Sequence, residues 1–283
     1  MNITKISDKI RFFEELGLNG HVALNTFFYD GWVLKFSNGY TGRANSVSLL
    51  YPSTKPLEEK VVYCEECYKK QGLPANFKIT EIDSELSGFL KNRGYEVITP
   101  TDLMILDLQN TDFSEEIKDC ECIFTTEPDN WLPYYFTFEE ISDKAKQDTF
   151  RKMLSKVLVE PVYCSVMHEG KVVACASAAI EHGYALIQNV IVNSQSRGIG
   201  IGEKLCRGLL AKIKELGAEH AYLQVVQTNE VANNLYAKLG FKKVYSYWYM
   251  MKENSKRKFR AGFSTTTSTH QWQQKPSKCK DLN

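Results

Sequence analysis

The stretch from Tyr184 to Phe241 constrains this chain more than any other. It opens with Tyr184-Ala185-Leu186-Ile187-Gln188-Asn189-Val190-Ile191-Val192, an apolar run of the length and content expected of a buried strand. Arg197-Gly198-Ile199-Gly200-Ile201-Gly202 follows. Leu205, Leu209, Ile213 and Leu216 then recur at helical spacing until Gly217. A glycine turn feeding a helix presents unpaired N–H groups and the positive end of the helix dipole, which suits a phosphate. Glycine is needed where a Cβ would hold the backbone away from the anion. The spacing Arg-x-x-Gly-x-Gly is neither the dinucleotide fingerprint nor a Walker loop, and no Lys-Ser/Thr pair follows it. Ala221 to Gln227 reads as another strand, and Asn229 stands at an N-cap position. Val231, Leu235 and Leu239 mark one helix face with Tyr236 beside it, and Gly240-Phe241 ends that helix.

Together these segments resemble the GNAT family of acetyl-CoA-dependent N-acyltransferases. Arg197, Gly200 and Gly202 match its pyrophosphate loop, and Asn229, Ala232, Leu235, Tyr236, Gly240 and Phe241 match its Asn-x-x-Ala-x-x-Leu-Tyr-x-x-x-Gly-Phe segment. The resemblance spans about half the chain, from Cys120 to Lys252. It implies acetyl transfer to a primary amine by direct attack in a ternary complex. It places the cofactor on Val190, Ile191 and Val192, on Arg197, Gly198, Ile199, Gly200, Ile201, Gly202 and Glu203, and on Asn229 and Tyr236. Backbone groups around Val190 and Val192 are expected to pair with the pantetheine amides as an added strand would. The N–H groups of Ile199 to Glu203 are expected to hold the pyrophosphate, with Arg197 adding a charge-assisted contact. Tyr236 is the expected acid: a phenol, with a pKa of about 10, can protonate a leaving thiolate whose thiol titrates at about 8.5. The base stays open. Gln188 and Asn189 stand where some family members carry a glutamate, which leaves Glu139, Glu140, Glu181 or a water chain.

The first half repeats this order of elements. Phe89-Leu90-Lys91-Asn92-Arg93-Gly94-Tyr95 falls on Leu235-Tyr236-Ala237-Lys238-Leu239-Gly240-Phe241 at an offset of 146. Leu57–Gln71 falls on Glu203–Gly217 and Phe77–Glu81 on Leu223–Gln227, and residues 27–50 are expected to fall on the hairpin 173–196 without gaps. Thr54 and Pro56 stand where the second copy has Gly200 and Gly202, and Leu90 where it has Tyr236. Proline has no N–H to offer a phosphate. The fold class expected is therefore α+β: two tandem GNAT-like domains, each a mixed, mostly antiparallel sheet flanked by helices. Residues 1–110 form a degenerate copy that is structural or walls the acceptor pocket. Residues 118–252 form the working copy. Residues 253–283, rich in Ser, Thr, Gln and Lys without periodicity, read as a disordered tail.

Within the first copy, Ser7 to Leu16 reads as a helix stopped by Gly17, Phe27 to Phe36 as one strand and Arg43 to Leu50 as the next. The linker is expected over Asp107–Asp119, followed by a strand from Cys120 to Thr126. Trp32, Tyr40, Arg43 and Asn45, with Gln188, are candidates for binding an anionic group on the acceptor, a small-molecule or peptide amine. The alternative for Arg43 is a solvated turn residue, and the alternative for the whole chain is a regulatory module that binds acyl-CoA without turnover. The net charge of +1 gives no global field to attract nucleic acid. Neither a signal peptide nor an 18-residue apolar run is present, so a cytoplasmic enzyme without membrane contact is expected. Eight irregularly spaced cysteines do not read as a secreted disulfide framework. Cys64 and Cys67 fall on an amphipathic helix, so no metal site is expected from them and Cys120-x-Cys122. The oligomeric state is not legible.

Overall fold

The computed structural model describes residues 5–111, 113 and 121–252. The tail over 253–283, most of the expected linker and Cys120 lie outside the described residues. The first half runs α1 (Ile6–Gly20), β1 (Asn25–Tyr29), β2 (Trp32–Phe36), β3 (Val47–Leu49), α2 (Leu57–Lys70), β4 (Phe77–Thr80), α3 (Ser84–Asn92) and β5 (Tyr95–Asp107). The second runs β6 (Glu121–Thr125), α4 (Leu132–Phe138), α5 (Lys144–Leu154), β7 (Glu160–His168), β8 (Lys171–Glu181), β9 (Tyr184–Val192), α6 (Ile201–Glu215), β10 (His220–Val226), α7 (Glu230–Lys238) and β11 (Lys242–Lys252).

All eleven strands form one sheet in the order β1-β2-β3-β4-β11-β5-β10-β9-β8-β7-β6. Only β3–β4 and β9–β10 are parallel. The two sheets expected of tandem copies are thus continuous, and the last strand of each half has crossed over. The strand β5 leaves its own half to pair with β10, while β11 leaves its half to pair with β4. The two then run antiparallel to each other from Lys242↔Ile105 to Lys252↔Tyr95.

The register tests the duplication. In the β10–β5 pairing Leu223, Gln224, Val225 and Val226 face Met104, Leu103, Asp102 and Thr101. Moving each partner by 146 residues gives Phe77, Lys78, Ile79 and Thr80 facing Met250, Tyr249, Trp248 and Tyr247, which is the observed β4–β11 register. Likewise α3 (84–92) maps onto α7 (230–238) without a gap. The offset fails earlier in the chain. Val47 faces Phe77 in one copy and Ile187 faces Leu223 in the other, so β3 matches β9 at an offset of 140. The gapless match expected for residues 27–50 is corrected accordingly. Nor is Phe27–Phe36 one strand: Asp30 and Gly31 both take positive φ (44° and 82°) and turn the chain in a two-residue hairpin. The next strand starts only at Val47, and α1 runs past Gly17 to Gly20.

That longer α1 matters for the site. Its apolar face, Ile10, Phe13 and Leu16, is buried against Ala179, Leu186 and Tyr222 of the second half. Each such side chain contributes roughly 1.5–3 kcal/mol by leaving water. At Gly20 a Cβ would lie 2.9 Å from Leu186 Cδ2, so the helix ends hard against β9. Under the same sheet region Glu14 of α1 accepts from Lys78 Nζ at 2.6 Å and from Tyr245 Oη at 2.7 Å, all three residues being buried.

Ahead of α2 the backbone donors are met from within the first half. Asp30 accepts hydrogen bonds from the N–H groups of Thr54 (3.0 Å) and Lys55 (2.9 Å) and from Thr54 Oγ1 (2.8 Å), just ahead of α2. Lys60 of α2, fully buried, pairs with that carboxylate at 3.1 Å and lies over the Trp32 ring at 4.1 Å. The hydrogen bond from the Lys55 N–H leads the contacts that hold the Asp30 carboxyl well below the ordinary range. Removing that carboxylate strips Thr54 and Lys55 of their acceptor and leaves the Lys60 ammonium buried without it. Asp30→Ala is therefore expected to lower the Tm, and Asp30→Asn, which keeps an acceptor oxygen, to lower it less. Equal thermal melts for the three proteins would remove Asp30 from this role.

Candidate active site

The strands β9 and β10 pair from His220↔Tyr184 only as far as Leu223↔Ile187. Beyond that point β9 continues to Val192 and β10 to Val226 without a ladder between them. The parting begins at a bulge. Asn189 takes φ 57°, the β8–β9 register slips between Cys175 and Ser177, and Asn189 Nδ2 is tied to Ser177 Oγ at 2.8 Å. Two strands that separate within a sheet leave backbone donors and acceptors facing a gap, and an extended amide-bearing chain can satisfy them. A cavity of about 590 Å³ occupies this gap, walled by both halves of the chain.

At one end of the cavity stands the glycine loop. Gly198 and Gly200 adopt φ 82° and 85°, and no atom lies within 4 Å of a Cβ built on either, so conformation and not crowding demands glycine there. The α6 N-terminus has no side-chain cap. Glu203 and Lys204 turn their N–H groups back to the Gly200 carbonyl at 3.1 Å, while no backbone acceptor meets Ile201 or Gly202 N–H among the described residues. The N–H of Glu203, expected to face the phosphate, is thus engaged. Its carboxylate instead joins Lys238 (2.6 Å) and Arg207 (3.0 Å), with Lys238 leading the groups that lower its pKa. Arg197 borders the cavity while its Nε holds the Val192 carbonyl at 3.0 Å, which fixes the end of β9. Val190, Ile191 and Val192 line the cavity along β9, and Ile199 is exposed at the loop tip.

Asn229 borders the cavity and caps α7, its Oδ1 accepting from Ala232 N–H at 3.1 Å. Two turns on, Tyr236 lines the cavity at 8% exposure, edge-on to Phe241 with ring centres 5.8 Å apart. Burial raises its pKa, so the phenol keeps its proton.

The opposite wall comes from the first half. Tyr40 stacks on Phe150 at 5.1 Å and lines the cavity beside Thr41, Gly42 and Arg43. Arg43 has no ion pair among the described residues. Asn45 is placed behind this wall: its Oδ1 accepts from Ser37 N–H (2.7 Å) and Gly39 N–H (3.1 Å), and its Nδ2 donates to the Thr41 carbonyl (2.8 Å). It shapes the loop that presents Tyr40 and Arg43. Trp32 is also away from the cavity, 1% exposed in the core formed with Phe77 and Val61. Gln188 does line it. Of the three candidate glutamates only Glu139 faces the cavity, and burial raises its pKa to about 8 against the opposing pull of Arg197. Glu181 is engaged by Asn19 Nδ2 at 2.9 Å, and Glu140 is exposed.

Sequence reasoning passed over His21, Asn76, Tyr247 and Tyr249, which also line the cavity. His21 follows α1, Asn76 precedes β4, and the two tyrosines lie on the exchanged strand β11. No local pattern marks such residues, because the strand exchange brings them to the site.

Over residues 7–250 the chain matches the family described as "Probable histone acetyltransferase Rv0428c C-terminal". It is 25% identical over 253 residues to the "Uncharacterized N-acetyltransferase YobR" of Bacillus subtilis, covering 87% of this chain and 99% of that protein. Among solved structures it resembles a GCN5-related N-acetyltransferase from Kribbella flavida, with a TM-score of 0.67, 12% identity, and coverage of 89% of this chain and 97% of that one. A tandem GNAT protein from the clavulanic acid biosynthesis pathway aligns at a TM-score of 0.57 and 14% identity over 72% of this chain and 74% of that one. The chain therefore belongs to the Rv0428c C-terminal family and is a GNAT-type N-acetyltransferase.

Proposed function

We propose that the chain transfers an acetyl group from acetyl-CoA to a primary amine by direct attack in a ternary complex. The observation that carries this reading is the parting of β9 and β10 beyond Leu223↔Ile187, which opens a path from the α6 N-terminus to Tyr236. In this reading the N–H groups of Ile201 and Gly202 bind the pyrophosphate, and the free edges around Val190 and Val192 pair with the pantetheine amides. The amine nitrogen attacks the thioester carbon. As the C–N bond forms and the C–S bond breaks, Tyr236 gives its proton to the departing sulfur. The acceptor, a small-molecule or peptide amine, enters along the wall of Tyr40 and Arg43. The unpaired Arg43 guanidinium favours an acceptor that carries an anionic group nearby. The working unit is residues 118–252, residues 1–110 supply the acceptor wall, and no metal takes part. We place the enzyme in the cytoplasm.

A Cβ at Gly202 would meet only Val192 Cγ2 and Leu235 Cδ2 at 3.6 and 3.7 Å, ordinary contacts, so a side chain there is tolerated by the protein but intrudes where phosphate approaches. Calorimetric titration of the native chain is expected to give one acetyl-CoA per chain. For Gly202→Val the affinity should fall roughly tenfold or more, about 1.4 kcal/mol, with an unchanged circular dichroism spectrum. Unaltered affinity would detach the loop from the ligand.

Tyr236→Phe keeps the ring against Phe241 and deletes the proton. Its single-turnover rate is expected to drop on the order of 10²–10⁴-fold, while the Kd for acetyl-CoA moves little because the ground-state thioester needs no proton. A rate within about twofold of the native enzyme would leave Tyr236 a packing residue.

A further inference from the structure

A residue of the first half brings to the cavity wall a lone pair suited to proton transfer. His21 follows α1 at 8% exposure and lines the cavity, yet its Nε2 is buried without a hydrogen-bond partner. Its Nδ1 lies 3.1 Å from Gln188 Oε1. The Gln188 amide cannot be reversed freely, because its Nε2 donates to the Gly20 carbonyl at 2.9 Å. Oε1 must therefore accept, Nδ1 must carry the imidazole proton, and Nε2 is left as a bare acceptor. Buried polar atoms in native proteins are rarely left unpartnered, and this one belongs to a residue of the cavity wall, where a small side-chain rotation would bring it to an entering group.

We propose that His21 is the proton acceptor for the attacking amine and that Gln188 is the residue that positions it. This inference rests on the acetyl transfer proposed above. The nitrogen lone pair of the neutral amine attacks the thioester carbon, and the N–H proton of the resulting ammonium passes to His21 Nε2. The C–S electron pair leaves on sulfur and takes the proton of Tyr236. Solvent then removes the proton from the imidazolium and reprotonates the phenolate. The sum is an amide and a free thiol, with no further reactant.

The surroundings keep His21 in the form this step needs. Burial first, then Arg43 from the loop before β3 and Lys35 from β2, lower its pKa well below the ordinary value. Lys78 of β4 adds to this more weakly, being paired with Glu14 of α1, and the Gln188 contact opposes it. Tyr40 of the first half, Tyr247 and Tyr249 of β11, and Glu139, Tyr135, Tyr236, Arg197 and Glu203 of the second half also line the cavity. The imidazole is thus unprotonated near neutrality. The same cations disfavour an ammonium and favour the neutral amine. Glu139, raised to about 8, is mostly protonated under those conditions and is the poorer acceptor.

The test pairs kinetics with a readout that needs no acceptor. In single turnover with acetyl-CoA and the best substrate from an amine panel, His21→Gln should be slower by about 10²-fold or more at pH 7. Its acetyl-CoA affinity should be unchanged, and the deficit should persist as pH rises, because the proton is taken only after the neutral amine has attacked. Gln188→Glu still accepts from Nδ1 and adds a negative charge, so it should retain turnover and shift the acidic limb of the pH–rate profile to higher pH. A limb that moves in Gln188→Glu and not when the same change is made in His21→Gln belongs to the imidazole and not to the new carboxylate. Long-range proton–nitrogen spectra of histidine-labelled enzyme, with His21 assigned by its absence in His21→Gln, should show the Nδ1–H tautomer and a midpoint below 6.5. A His21→Gln rate within about twofold of native at pH 7, an unmoved limb in Gln188→Glu, or an Nε2–H tautomer overturns the proposal. Failure of the native chain to bind acetyl-CoA or turn over any amine would instead sink the acetyl transfer, and the tautomer would still decide whether Gln188 orients His21 as described.

Discussion

The antiparallel pairing of β5 with β11 is the contact on which the rest of the molecule depends. Each strand is the last of its half and each lies next to a strand of the other half, so neither half is a complete sheet alone. Had each strand stayed home, two edges would face solvent with unpaired backbone groups, the arrangement that invites aggregation. Exchange joins both sheets through the nine register pairs of the β5–β11 ladder and removes those edges. It also fixes the relative position of the halves by hydrogen-bond register, which a one-residue slip would destroy because every side chain would change face. A cavity with one wall from each half needs that fixity.

Beneath the cavity the exchange buries charge. Glu14, Lys78 and Tyr245 come from α1, β4 and β11, and the carboxylate satisfies both of the other two. Removing one partner of such a pair costs about 3–5 kcal/mol, because the other remains buried without its counter-charge. Lys35, also buried, is pushed down to about 7, by desolvation first and by Lys78 next, with Glu14 opposing. The folded-state pKa values of Lys35 and His21 both lie below their ordinary values. Their favourable contributions therefore exist at alkaline pH and are lost on acidification: for Lys35 between its ordinary 10.5 and about 7, for His21 below its ordinary 6.5.

Local chemistry was legible in the sequence and long-range assembly was not. The α3 and α7 boundaries, the β9 run and the Asn229 cap follow from periodicity and capping within a few residues of chain. The glycines at 198 and 200 announced their positive φ. A single strand over Phe27 to Phe36 leaves out the Asp30-Gly31 turn, and with it the carboxylate that meets the N–H groups ahead of α2. Trp32 was judged by its neighbourhood in sequence to Tyr40 and Arg43, but strand alternation and the buried Lys60 ammonium place it in the core. His21 had no motif to announce it. Its meaning arises only when α1 packs on β9 and brings it to Gln188, a contact 167 residues apart in sequence.

The two copies therefore differ in what their loops do and not in whether they serve. At the start of α6 the loop is open, with glycines in left-handed conformation and backbone donors unengaged. At the start of α2 the same position is occupied by Asp30, with Lys60 as its counter-charge, and Pro56 is tolerated because no incoming anion asks for its missing N–H. Asp30 meets those donors from within the first half. Because β5 and β11 are exchanged, residues of the first half reach the cavity beside β9 and β10: Tyr40, Arg43, Asn76 and His21 line it. Gln188 stands where some family members place a glutamate, and a glutamine there is understandable once a histidine from the first half lies 3.1 Å away. A carboxylate at that position can take a proton itself. An amide cannot, but it can hold an imidazole in the tautomer that does.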